Sequence, residues 1–403
     1  MHYIRLLAPP KLAISGSKAR LDLVITINTD LSDSLLFVQD SLEIIITAEV
    51  ASSAGKTTWA LTGRGELVWK PGMRILKPSL NLPLQFIKTL AASSKTEICI
   101  SAKPALSATG VQSILMDSIN SAQDEVGGLI MPVWAEIRPK GHNDDHICTR
   151  RLYFSGQNEG GEFLEIEEEL GESMARHVWD GGLVTLCAVA GIPAGKNYAS
   201  NQEVTMTAMR DILCTAGELN ILELGCGVGT LGIGLFAALR HMRPAGSGGC
   251  TVLLTDLEDA EARASRNISR LQENAHTNGE DTAQLLYENL DWENGREGRF
   301  GPQVQARRWD LIVLSDCTYN EDGLLSLVET LSALHSFNVN KATGESSFTT
   351  KVFVGTKPRH SSENAVFGLL DQAGWKMQAK QVLPLPVLGS EAQTVEMYLF
   401  EKS

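Results

Sequence analysis

The stretch ILELGCGVGTLGIGLFAALR, Ile221–Arg240, constrains the fold more than any other part of this chain. It opens on an apolar run that contains one acid: Ile221, Leu222, Glu223, Leu224. Glycines follow at alternate positions, Gly225, Gly227 and Gly229, and an apolar helical repeat then runs through Leu231, Leu235 and Leu239. This pattern predicts a buried strand turning sharply through glycines into a helix, so that bare backbone can approach whatever lies on the turn. Such a turn suits a nucleotide-like ligand. The spacing argues against a dinucleotide, whose fingerprint is G-x-G-x-x-G. Here the third glycine arrives one residue early, and Thr230 stands where that fingerprint needs glycine. A glycine turn without a ligand is the plain alternative, and the strand before and helix after weigh against it.

Downstream, strands alternate with helices, which implies a parallel sheet covered on both faces. Strands are predicted at Thr251–Thr255, Gln284–Leu290, Trp309–Ser315 and Lys351–Thr356, and helices over Glu258–Glu273, Gly323–His335 and Ser362–Ala373. The last strands, Trp375–Leu383 and Thr394–Glu401, have no helix between them and should pair antiparallel. Acids stand at the strand ends, the edge where open α/β sheets bind ligands. Asp256 follows the second strand; it could accept both hydroxyl hydrogens of a ribose, with Leu257 beside the base, or cap the next helix. The two roles are compatible. Asp291-Trp292 follows the third strand, either as an acceptor and aromatic wall or as a capping acid with a core-edge indole. Asp316-Cys317-Thr318-Tyr319 follows the fourth. Its plain reading is a strand-end cap and a half-buried aromatic.

The E-x-G-x-G-x-G form at Glu223–Gly229 resembles motif I of S-adenosylmethionine (AdoMet) methyltransferases with a seven-stranded sheet. AdoMet carries no pyrophosphate, so its turn must let a sulfonium amino acid and a ribose lie on backbone. The resemblance implies Glu223 near the cofactor's amino-acid end and Gly225, Gly227 and Gly229 as its floor. Further matching pieces are V-W-D-G-G at Val178–Gly182, T-D-L-E-D from Thr255, L-D-W ending at Trp292, and D-C-T-Y at Asp316–Tyr319. With them, residues 149–403 resemble the methyltransferase-like protein-lysine methyltransferases.

By that resemblance Trp179 borders the cofactor, while Asp316 and Tyr319 are the catalytic candidates, bordering the channel where a substrate lysine meets the methyl group. Asp291 would then face the adenine amino group. The expected fold is an α/β, Rossmann-like seven-stranded methyltransferase sheet with its last strand antiparallel, behind an N-terminal β-rich α+β extension. The expected activity is AdoMet-dependent methylation of a protein lysine. Alternatives are methylation of a small molecule or another protein atom, or a catalytically inactive methyltransferase fold that binds partners. Cys317-Thr318 departs from the aliphatic pair of the family, and inserts near 273–283, 294–307 and 337–348 bear on substrate identity. D-C-T-Y also lacks the N/D-P-P-Y form of methyltransferases acting on adenine or glutamine.

A chain of 403 residues exceeds one average domain, and the texture changes between 140 and 149. Residues 1–140 carry β-branched runs at Leu21–Asn28, Leu42–Val50 and Glu97–Ser101, with helical patterns at Leu80–Leu90 and Val111–Ile119, and no catalytic motif. Arg150–Ser155 and Phe163–Leu170 read as a hairpin opening the second domain, 149–403. The net charge of −13 disfavours a nucleic-acid partner, which would need clustered Lys and Arg; it is compatible with a basic protein substrate, though solubility alone is the commoner reason for such acidity. Seven cysteines without C-x-x-C spacing read as reduced thiols of the cytosol or nucleus, with no metal site. The patch His142–His146 reads as a solvated loop. No apolar run reaches membrane-span length, no secretory h-region opens the chain, and Pro9-Pro10 break any amphipathic targeting helix there. Oligomeric state is not legible.

Overall fold

Strand order at the second half of the chain is the organising fact of the architecture. The computed structural model describes all residues except 17, 53–54, 92, 94, 121–127, 139–145, 155–162, 170–175, 192–202, 245, 275–282, 342–347 and 389–392. Two units emerge: Met1–Ser173 with Leu385–Ala392, and Met174–Pro384 with Gln393–Ser403.

The second unit is built on strands β1 (Leu219–Leu224), β2 (Cys250–Asp256), β3 (Gln284–Asn289), β4 (Leu311–Ser315), β5 (Thr350–Thr356), β6 (Lys376–Leu385) and β7 (Gln393–Lys402). They lie in the order β3-β2-β1-β4-β5-β7-β6. Pairs β3–β2, β2–β1, β1–β4 and β4–β5 are parallel, whereas β7 runs antiparallel to β5. This is the seven-stranded methyltransferase sheet expected from the motif order and from the helix-free ending.

Strand parity assigns the faces, because successive side chains point to opposite sides. Leu222, Leu224, Leu253, Ile312, Leu314, Val352 and Val354 share a core cluster with Leu324, Leu327, Val328, Leu331 and Leu334 of helix α7 (Glu321–Lys341) and Val366 and Leu370 of α8 (Ala365–Gln372). The opposite parity, including Glu223 and Leu254, meets α1 (Asp180–Ala190) and α3 (Thr230–Met242), where Gly232 and Gly234 take the Leu254 and Leu186 side chains at close quarters. Sequence reading did not foresee α2 (Glu203–Leu213), nor the short α5 (Trp292–Gly295) and α6 (Pro302–Ala306), which fold part of the 294–307 insert. Helix α4 (Glu258–Asn274) follows β2 as expected.

The first unit holds a second seven-stranded sheet, formed by Leu42–Ser52, Gly55–Ala60, Val68–Trp69, Lys95–Ala102, Val133–Glu136, Ile147–Tyr153 and Phe163–Glu169. The division therefore falls beyond the expected 140–149 boundary. The hairpin read as the start of the catalytic domain pairs through Trp134 and Thr149 with Val133–Glu136, and so joins this sheet. Its Arg150 is buried and paired with Glu168 at 2.5 Å, and Arg151 bridges Glu49, Glu97 and Glu165. Those partners come from three separate strands, which no local pattern could announce. The predicted strand at Leu21–Asn28 is broken into Lys18–Asp22 and Ile25–Asn28; the second pairs with His2–Leu6, a buried strand absent from the sequence reading. The predicted helix at Leu80–Leu90 is a strand, Ser79–Leu82, followed by a helix, Leu84–Ala91, while Val111–Asn120 is helical as expected. Most of the His142–His146 patch lies outside the described residues. Among the described residues, no group of three or more His, Cys, Asp or Glu is placed to hold a metal, and no helix is long and apolar enough to cross a membrane.

Candidate active site

The sheet reverses its strand order between β1 and β4, and there the glycine turn and the D-C-T-Y segment meet. Gly225, Gly227 and Gly229 have φ of 66°, 54° and 85°, conformations that cost residues with a Cβ. At Gly225 space is also short: a Cβ would stand 2.5 Å from Cys317 Sγ and 3.3 Å from Trp292 Cζ2. The Cys317 thiol lies 3.5 Å from the Gly225 carbonyl oxygen, and burial pushes its pKa up, so it packs as a neutral group.

Asp256 closes the other side of the turn. Its Oδ2 accepts the Gly227 N–H at 2.7 Å and its Oδ1 accepts the Leu257 N–H at 2.7 Å. Each oxygen thus keeps lone-pair capacity for a further donor. Burial raises the Asp256 pKa above the usual carboxylate value, and the two backbone bonds work against that rise. Leu257 beside it is 53% exposed, available as an apolar surface.

Glu223 is almost fully buried and accepts the Gly232 N–H at 3.1 Å. A Cβ on Gly232 would occupy the space of the Glu223 carboxyl, so that glycine admits the acid beneath α3. Burial, reinforced by the nearby Asp256 charge, holds the Glu223 pKa well above the usual range. Among the described residues no ion pair reaches Glu223 or Asp256. The glycine turn therefore has Asp256 at its edge and Glu223 buried beneath it, neither of them ion-paired among the described residues.

Of the two readings of Asp291, capping is the one visible: its Oδ1 accepts the Glu293 N–H at 2.9 Å at the start of α5. Trp292 is half-buried between the turn and the cluster under α7. Asp316 adopts φ 51°, rare outside glycine. Its Oδ2 accepts the Gly182 N–H at 3.2 Å; its Oδ1 accepts the Lys357 N–H at 3.2 Å and pairs with Arg359 Nη1 at 2.8 Å. Asp316 thus ties the start of α1 to the end of β5. Tyr319 is 53% exposed, and burial of its inner part, then Cys317 and Asp256, raise its pKa, keeping the phenol neutral. Trp179, just before α1, lies with its ring under the Arg359 guanidinium, 5.1 Å from centroid to Cζ.

Sequence reading missed the basic run after β5. Lys357 pairs with Asp180 at 2.9 Å, both side chains buried, and Glu363 accepts the Arg359 and His360 N–H groups at 3.2 Å each. The available signal was K-P-R-H following KVFVGT, with two cations at the same sheet edge as the acids.

Parallel strands with an antiparallel β7, a glycine turn that a Cβ would fill, and a carboxylate at the β2 end define an AdoMet-dependent methyltransferase. The residues present suit that cofactor: bare backbone at Gly225 leaves room, and Asp256 retains acceptor capacity for the ribose hydroxyls.

The sequence model of the family described as lysine methyltransferase matches residues 158–373, just over half of the chain. The chain belongs to that family. It is 25% identical over 291 residues to the UPF0665 family protein C23C4.06c of Schizosaccharomyces pombe, covering 72% of this chain and 71% of that one. Similar solved structures include a precorrin-6y C5,15-methyltransferase from Geobacter metallireducens, 12% identical, covering 52% of this chain and 94% of its own with a TM-score of 0.30. Another is a SAM-dependent methyltransferase from Methanosarcina mazei, 10% identical, covering 45% and 92% with a TM-score of 0.29. Scores this low carry no weight, and the fold rests on the strand order of this chain.

Proposed function

We propose that the protein is a protein-lysine N-methyltransferase acting on a protein substrate in the cytosol or nucleus. The observation that carries this reading is the lysine methyltransferase family match, which spans the glycine turn, Asp256 and the D-C-T-Y segment. Bound AdoMet supplies a methyl group on a sulfonium sulfur. Gly225, Gly227 and Gly229 form its floor, Asp256 accepts from the ribose, Leu257 covers the base and Trp179 walls the amino-acid end. Glu223, buried beneath α3, holds the Gly232 N–H and so fixes the helix that follows the turn. Trp292 lines the adenine side, while Asp291 holds α5 in place.

Transfer of that methyl to an amine would be an in-line displacement at the methyl carbon, with the sulfur leaving with its bonding electrons. The protein's task is to hold a neutral amine in line and keep water out. Lysine is mostly protonated at neutral pH, so its proton leaves to solvent before attack. Tyr319, a neutral phenol at the open rim, can accept a hydrogen bond from the amine and aim its lone pair. Asp316, ion-paired with Arg359 and holding the Gly182 and Lys357 N–H groups, sets the shape of the channel.

Incubation with isotope-labelled AdoMet and a proteome extract, followed by mass spectrometry of labelled bands, tests the reading. A methylated lysine on a discrete protein, lost with Tyr319→Ala, is the expected result. Label in small-molecule fractions, or on another side-chain atom, would replace lysine as the acceptor.

A further inference from the structure

Charge is spread unevenly along this acidic chain. Residues 1–103 hold 12 Lys and Arg against 8 Asp and Glu, while the whole chain carries −13. Part of that local excess gathers on one face of the first unit. Strands Lys11–Ser15, Lys18–Asp22 and Ser79–Leu82 form an antiparallel three-stranded sheet. Ala19, Leu21, Leu80 and Leu82 turn inward and share a core with Phe86 and Leu90. The opposite parity faces outward. Across it, Lys11 lies opposite Asp22 and Asp22 opposite Ser79; Ala13 lies opposite Arg20 and Arg20 opposite Asn81; Ser15 lies opposite Lys18. The same pairing continues upstream, where the Leu23 N–H meets the Pro78 carbonyl and Ile25 pairs with Leu76. Alternation therefore sets the exposed Lys77 on the outward face too. Asp22 is the one acid among the described residues of this face. A hydrogen bond from Ser79, then the charges of Arg20 and Lys11, hold its carboxyl below the usual range, and Arg20 pairs with it at 3.0 Å. Lys11, Lys18 and Lys77 are left as the uncompensated cations.

We propose that this sheet face docks an acidic segment of a partner protein, with Lys11, Lys18 and Lys77 meeting its carboxylates. Charge complementarity names the partner's chemistry, and the shape of the face narrows its class. Between the cations the outward side chains are short, Ala13, Ser15, Ser79 and Asn81, so a chain laid across the strands can approach the sheet while the long lysines close on it from the sides. Four cations, one of them paired with Asp22, fall short of the roughly six to ten phosphate contacts of a nucleic-acid site, and this face offers no aromatic ring for a base to stack on. An anionic membrane is held by apolar side chains that reach past the cations, which those four short residues do not. The inference lies wholly within the first unit, and it rests neither on AdoMet as cofactor nor on lysine as acceptor.

Fluorescence anisotropy of the full-length protein with a labelled peptide of alternating glutamate and serine tests it. The peptide should bind with a Kd on the order of micromolar that weakens as salt is raised. The triple variant Lys11→Gln, Lys18→Gln, Lys77→Gln should lose about tenfold, and each single variant about twofold to threefold. A control of equal charge change, Lys70→Gln, Lys88→Gln, Lys103→Gln, removes three exposed lysines that lie off this face and should stay within about twofold of wild type. Equal losses in the two triple variants would make net charge the cause and overturn the proposal. So would absence of peptide binding by the wild-type chain. Tighter binding of single-stranded RNA, or of phosphatidylserine–phosphatidylcholine vesicles, would overturn it in favour of those partners. Self-association in sedimentation velocity that the face variant abolishes would assign the face to a second copy of the chain instead. If the triple variant does not fold, Lys77→Gln, outside the strands, decides alone against Lys88→Gln. Calorimetry with AdoMet should give the same affinity for every variant, and its failure with the wild-type chain would strike the cofactor assignment without touching this one.

Discussion

Asp256 is the residue whose chemistry is most exposed to measurement. Its carboxyl is raised by burial, so protons compete with any ligand that needs the ionised form. In the proposed site ribose hydroxyls would donate to the ionised group, so cofactor binding would favour loss of the proton. AdoMet affinity should therefore rise with pH through the elevated Asp256 pKa and level off above it. Calorimetry in two buffers of different ionisation enthalpy should show proton release within that window. Asp256→Asn should flatten the profile, and Asp256→Ala should cost about 1–3 kcal/mol of binding. The stability of the ligand-free protein has the opposite slope. A carboxyl whose folded pKa is raised contributes stability below its unfolded pKa, and that contribution is lost as pH rises through the folded value. Glu223, raised for the same reason, adds to this loss.

Among elements, the glycine turn carries the sharpest steric demand. Gly225→Ala must accept φ 66° and place a methyl 2.5 Å from Cys317 Sγ, so it should destabilise the fold by about 1–3 kcal/mol and abolish AdoMet binding. Adding Cys317→Ala removes the clash but not the backbone cost, so chemical denaturation of the double variant should show partial recovery only. Full recovery would mean that the left-handed backbone is not required there. The turn was legible because glycine spacing is a local backbone requirement. The clash with Cys317 was not, since that contact joins residues far apart in sequence across the strand-order reversal.

At the scale of the whole molecule, the boundary between units governs what can be cut. Deleting residues 1–140 strips Val133–Glu136 from Ile147–Tyr153 and leaves the hairpin as a sheet fragment with an open edge. It also removes Leu129, whose N–H donates to the Pro386 carbonyl at 3.1 Å within the first unit. The shortened chain should aggregate on expression, as read by size-exclusion chromatography. A monodisperse product that binds AdoMet would show that the hairpin and the 385–392 segment need no first-unit partner.

Periodicity, glycine spacing and the acids after each strand determined the second unit from sequence alone: its parallel sheet, its antiparallel close, the glycine turn and the place of Asp256 at the end of β2. Each of these is a local signal, written in neighbours or in a repeat of two or 3.6 residues. Tertiary structure decided the rest. Only the folded chain shows Asp291 capping α5, Glu223 sunk under Gly232, and Asp316 shared between α1 and the β5 loop. It likewise assigns the hairpin at Ile147–Glu169 to the first unit, through Trp134 and the Arg151 cluster. Charges and side chains that meet across strands separated by long stretches of chain leave no local pattern, because their partners are chosen by packing rather than by sequence distance.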